Sequence, residues 1–174
     1  LGALTLATPA AAHLDPASHG SFAAGFTHPI FGLDHILAMV AVGLWAAMLG
    51  GRAMLAVPAS FVAMMALGFG LAMVGFGLPF VEPMILASVV VLGLLVGTAA
   101  RMPLGAGMML VGLFAVFHGH AHGAEMPTAA NPMAYAVGFV IGTGLLHLGG
   151  IALGLLVGSQ AGRMAVRGVG GVIA

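Results

Sequence analysis

The chain of 174 residues is 61% apolar and only 5% charged, with a mean hydropathy of +1.20 and no net charge. A water-soluble domain keeps about a quarter of its residues charged, so a soluble fold is excluded and lipid is most of the solvent. Four scattered arginines form no patch for nucleic acid, and the absence of cysteine removes disulfides, thiolate nucleophiles and thiolate metal sites, leaving 8 His, 13 Met and a few carboxylates as ligands.

Residues 1–12 form a small apolar stretch ending Thr8-Pro9-Ala10-Ala11-Ala12, which resembles the end of a secretory signal with an A-x-A cleavage site before His13. Cleavage there would give an amine beside the His13 imidazole, with Asp15 and His19 close behind, a plausible external chelate. An uncleaved short anchor is the alternative. A single transmembrane helical domain is expected over residues 13–174.

An α-helix needs about 20 apolar residues to cross about 30 Å of hydrocarbon. Five runs read as spans: residues 29–49, 54–78, 83–100, 104–117 or a turn beyond, and 133–158. A sixth begins near Met164 and is cut off at Ala174, so its natural end is expected to lie further on. The fold class is all-α, a polytopic helix bundle. Short breaks rich in Gly and Pro join the spans, with one longer polar loop from Gly119 to Pro132. Alternating the spans across the bilayer puts Arg52, Arg101, Arg163 and Arg167 on one side, which the positive-inside rule assigns to the cytoplasm. The opposite side receives His13, Asp15, His19, His28, Glu82, His118, His120, His122 and Glu125. Glycines spaced by four, Gly93 with Gly97, Gly138 with Gly142, and Gly150, Gly154, Gly158 and Gly162, predict close helix crossings.

The first candidate for chemistry is the run from His28 to Met39. Pro29 suits a first helical turn. If the helix continues through Gly32, then His28, Gly32, His35 and Met39 share one face. Asp34, adjacent to His35, is either a partner for the helix dipole or a ligand or second-sphere carboxylate. Ionisable groups at membrane depth are costly and mark a pathway or a pair, which favours function. The second candidate closes span four, His118-Gly119-His120-Ala121-His122. In a helix His118 and His122 share a face; in an extended chain all three do, and either geometry can chelate. His120 and His122 equally suit a loose metal-gathering loop. His147, near the middle of span five, points along the glycine seam into the bundle, either as a hydrogen-bonded core residue or as an inner step of a metal route. Glu82 reads as a solvated turn carboxylate, and the methionines as packing. Imidazole with carboxylate suits Ni²⁺, Co²⁺, Cu²⁺ or Zn²⁺.

The pattern His28-Pro29-x-x-Gly32-x-Asp34-His35-x-x-x-Met39-x-x-Val42-Gly43-x-Trp45-Ala46 resembles the signature of the HupE/UreJ family of nickel permeases. The leader followed by a histidine, the His-Gly-x-x-His-like segment and the Gly-rich span with one histidine extend the likeness over most of the chain. The resemblance implies secondary transport of Ni²⁺, and of Co²⁺ in some members, serving nickel enzymes such as hydrogenase or urease. It carries the family's motif residues onto His28, Asp34 and His35.

A permease from the bacterial inner membrane is therefore the leading expectation, with a divalent metal ion and the lipid bilayer as partners. His28, Asp34, His35 and His118 would hold the ion at the outer mouth, His122 and His13 would assist, and His147 would lie deeper. An intramembrane metalloenzyme or haem protein finds little support, since no H-E-x-x-H and no paired Glu-x-x-His occur. A non-transporting accessory subunit of a larger membrane complex, or a homo-oligomer, is the other class to be tested.

Overall fold

The structure is a computed structural model that describes residues 20–156 and Gly171. The expected leader, His13, Asp15, His19, Arg163, Arg167 and the sixth span near Met164 lie outside the described residues. Among the described residues the helices are α1 Ser21–Phe31, α2 Leu33–Leu49, α3 Ala53–Met73, α4 Val81–Gly97, α5 Leu104–Ala124 and α6 Pro132–Leu156. No strand occurs among the described residues.

Among the described residues the span count is lower than apolar run length suggests. Of these helices, only α3, α5 and α6 are long and apolar enough to cross a membrane, and a fourth span exists if α1 and α2 together make one broken span. The expected single helix through Gly32 is overturned: α1 ends at Phe31, Gly32 takes extended backbone angles (φ −85°, ψ 116°), and α2 departs at 77°. Hydropathy is blind to this break, because a glycine lowers helix stability by about 1 kcal/mol without making the run polar. Pro29 lies near the end of α1 rather than in a first turn, since the helix already starts at Ser21. It withholds an N–H from the preceding turn just before the bend. The run at 83–100 yields α4 of only 17 residues.

Span four is longer than expected. Helix α5 continues through all three histidines to Ala124, so the connection to α6 shrinks to residues 125–131. The expected polar loop is helical because its residues are packed. His118, Gly119, His120, Ala121, His122 and Gly123 are all buried.

Three helix pairs pack backbone to backbone, each through glycines on both partners. Between α3 and α5, a Cβ on Gly68 would meet the Val116 carbonyl, and one on Gly119 the Met65 carbonyl. Between α1 and α6 the same holds for Gly25 against Tyr135 and for Gly138 against Phe22. Between α2 and α6 it holds for Gly43 against His147 and for Gly150 against Val40. The spacing by four read from Gly138 with Gly142 and from Gly150 with Gly154 therefore serves two different seams, one for each half of the broken span. Such approach is possible only without side chains, and in lipid it supplies the contact that the hydrophobic effect cannot.

At one end of the bundle the Trp45 indole Nε1 donates to the Ala100 carbonyl at 2.9 Å, tying α2 to the turn before α5. Arg52 and Arg101 are exposed at this same end. Leu55, Leu67, Leu86, Met109 and Leu148 stand exposed around the outside, as a surface solvated by lipid requires.

Candidate metal centre

His28, His35, His118 and His122 gather at the end of the bundle opposite Arg52 and Arg101. The bend at Gly32 turns the last residues of α1 and the first of α2 toward each other, so His28 and His35 converge from different helices with ring centroids 6.0 Å apart. Helix α5 brings His118 and His122 on one face, one turn apart, which is the helical alternative of the two read from the sequence. His122 meets His28 at 4.5 Å and His35 at 4.3 Å between ring centroids, and His118 meets His35 at 5.1 Å. All four imidazoles are buried.

Two groups of potential ligand atoms result. His35, His118 and His122 each present one nitrogen such that all lie within 4.8 Å of one another; one nitrogen each of His28 and His122 and a carboxylate oxygen of Glu125 form a second such group. An imidazole nitrogen sits about 2.0–2.1 Å from a bound divalent ion of the zinc type, so ligands of one ion stand within about 4.2 Å of each other. Modest ring rotation closes the difference. His122 belongs to both groups, and only Glu125 among the five is exposed, so the second group faces outward and the first lies deeper.

The deeper group is held from behind. Asp34, whose side chain is 41% exposed, accepts from His35 Nδ1 at 3.0 Å, while His35 Nε2 is buried without a hydrogen-bond partner. Ser88 of α4 contacts His118 Nε2 at 2.8 Å, and His118 Nδ1 is buried without one. One nitrogen of each ring is thus anchored and the other left over. Metal-ligating histidines are commonly supported in this way, the second nitrogen bonded to a carboxylate or another polar group. Phe139 lies against His122 with centroids 4.1 Å apart, and Tyr135 lies 6.2 Å from His28, which walls the group off toward α6.

Other expected residues fall elsewhere. His120 points away from the cluster and bonds the Phe76 carbonyl through Nε2 at 2.7 Å, joining α5 to the loop after α3. His147 is buried along the glycine seam as its position implied, yet neither ring nitrogen has a hydrogen-bond partner, so it is not a hydrogen-bonded core residue. Its ring packs edge-on to Phe61 at 5.2 Å, and Phe61 lies 5.8 Å from His118, so one phenyl ring stands between His147 and the cluster. An apolar groove of about 440 Å³ between α3 and α6, lined by Met54, Pro58 and Val62 among others, borders His147 on its far side. Glu82, in the first turn of α4, is exposed and belongs to neither ligand group, and Met39 is buried in the apolar core. Sequence reasoning missed Ser88, which nothing distinguishes within an apolar run. It also passed over Glu125 as a ligand, although its spacing of three from His122 was a usable signal once the helix is known to continue.

Comparison with known proteins follows the same line. Residues 1–174 match the family described as HupE / UreJ protein. The chain is similar to Protein HupE of Rhizobium leguminosarum bv. viciae, at 46% identity over 174 residues, which is 100% of this chain and 91% of that protein. No solved structure matches it.

Proposed function

The chain belongs to the HupE/UreJ family, and from that membership together with the buried imidazoles we propose that it is a permease for Ni²⁺, with Co²⁺ as a secondary substrate. The observation that carries the proposal is the convergence of His35, His118 and His122 within 4.8 Å, from two helices and in a place lipid does not reach. His35 and His118 each keep one buried ring nitrogen without a hydrogen-bond partner, whereas buried polar atoms normally find one. The three imidazoles are a good receptor for a borderline divalent ion.

In this reading the ion is substrate. It is met first by His28, His122 and Glu125, where the exposed carboxylate adds charge attraction, and then passes to His35, His118 and His122. Transfer needs no moment without ligands, because His122 stays bound while His28 and Glu125 are exchanged for His35 and His118. Asp34 keeps His35 oriented. His147 takes the next position beyond Phe61. The histidine end is the outer, periplasmic face of the inner membrane, which the arginines at the opposite end support through the positive-inside rule.

Uptake of radioactive nickel into cells carrying the protein tests the proposal. His35→Ala, His118→Ala and His122→Ala each abolish uptake and weaken nickel binding to the purified protein; His147→Ala stops uptake but leaves equilibrium binding at the cluster intact. Binding without flux in reconstituted vesicles, with a stoichiometric partner retained on purification, establishes an accessory subunit instead.

A further inference from the structure

We propose that Ser88 is a positioning residue for the metal centre: it fixes His118 as the Nε2–H tautomer and so leaves the Nδ1 lone pair as the one available to an ion. The inference rests on the reading of His118 as a ligand and adds a residue that the sequence motifs do not contain.

The argument is one of proton counting. A serine hydroxyl has a single proton to donate and lone pairs to accept with. Ser88 Oγ lies 2.6 Å from the Ile85 carbonyl oxygen and 2.8 Å from His118 Nε2. A carbonyl oxygen can only accept, and two oxygens at 2.6 Å with no proton between them repel. The Ser88 proton is therefore spent on Ile85. What remains at Oγ is a lone pair, so the contact to His118 holds only if Nε2 carries the hydrogen and donates. A neutral imidazole with Nε2–H has its lone pair on Nδ1. That atom is buried without a hydrogen-bond partner, and the residue is fully buried. The ring is thus enclosed by protein, and α4 sets the tautomer of a residue 30 positions further along the chain.

Asp34 does the same for His35 with the nitrogens exchanged. The carboxylate accepts a hydrogen bond from Nδ1–H and leaves the Nε2 lone pair for an ion. Two supporting groups of different chemistry, a carboxylate and a hydroxyl already committed to a backbone carbonyl, thus act on two neighbouring rings of one ligand group. A hydroxyl adds no charge, so Ser88 orients its ring without raising the negative potential that holds the ion.

The test separates tautomer from affinity. In protein labelled with ¹⁵N-histidine and kept metal-free, the His118 signal, assigned by its disappearance in His118→Ala, shows a protonated Nε2 and an unprotonated Nδ1. In Ser88→Ala, which removes one buried oxygen from a helix that tolerates alanine, that signature shifts toward a mixture, and Ni²⁺ affinity measured by calorimetry falls roughly 10–100-fold. Ser88→Thr retains the hydroxyl and restores both. A protonated Nδ1 on His118 in the unaltered protein overturns the inference, as does Ni²⁺ binding by Ser88→Ala at unaltered affinity. If the unaltered protein shows the Nε2–H signature but His35→Ala and His118→Ala bind Ni²⁺ as well as it does, the metal reading fails while the tautomer assignment stands.

Discussion

Replacing Gly32 by alanine isolates the geometry of the site from the stability of the fold. The backbone angles at Gly32, φ −85° and ψ 116°, are open to any residue, so the substitution carries no backbone strain. Alanine in a compatible conformation stabilises by about 0.4–1 kcal/mol through the unfolded chain. The obstacle is local: the new Cβ would lie 2.7 Å from His35 Nδ1 and 3.2 Å from Asp34 Oδ1. The imidazole must retreat about 0.7 Å to reach ordinary contact at 3.4 Å, and this movement disrupts its 3.0 Å bond to Asp34. Loss of such a supporting partner weakens metal binding roughly 10–100-fold, or about 1.4–2.8 kcal/mol. Calorimetric titration with Ni²⁺ and thermal unfolding of the same detergent-purified sample therefore give opposite answers, affinity falling while the melting temperature holds or rises. Gly70→Ala, where nothing lies within 4 Å of the added Cβ, serves as control and retains full affinity. A Gly32→Ala protein that binds Ni²⁺ like the parent refutes the assignment of His35 to the site.

The glycine seams and the protonation of the ligands give two more expectations. Gly119→Ala drives a Cβ into the Met65 carbonyl, a backbone atom that no rotamer change can move, so it destabilises by about 1–3 kcal/mol or more; its melting temperature drops, whereas Gly105→Ala, with open space around it, leaves stability unchanged or higher. Ligating imidazoles must be neutral, so Ni²⁺ affinity is full at alkaline pH and is lost as pH falls and protons compete for the same lone pairs; calorimetry in buffers of different ionisation enthalpy shows proton release on binding that grows as the pH is lowered, and an affinity independent of pH argues against imidazole ligands.

Much of the bundle was legible because lipid makes apolar length a direct signal. Residues 54–78, 104–117 and 133–158 each contain most of a membrane-length helix, α3, α5 and α6. The same signal fails at residues 29–49, where Gly32 interrupts the helix while hydropathy continues, and at 118–123, where three histidines lower hydropathy although the chain stays helical and buried. His28 and His35 were singled out for a shared helix face, a reason that does not hold. They meet because the helix is broken and folded back. His118 and His122 were legible because a spacing of four is a physical proximity in any helix. Ser88 was not, since its role depends on a contact between α4 and α5 and on a proton given to Ile85, neither of which leaves a mark on the order of residues.

The two seams on α6 bear on how the break can move. Its first half grips α1 through Gly138 and Gly142, and its second half grips α2 through Gly150 and Gly154. One straight rod is thus lashed to both limbs of the elbow, like a splint. The angle at Gly32 is then governed by α6, whatever freedom the glycine itself possesses. Flexing the elbow requires unpacking one lashing, so any change in its angle is geared to the sliding or tilting of α6 as a whole.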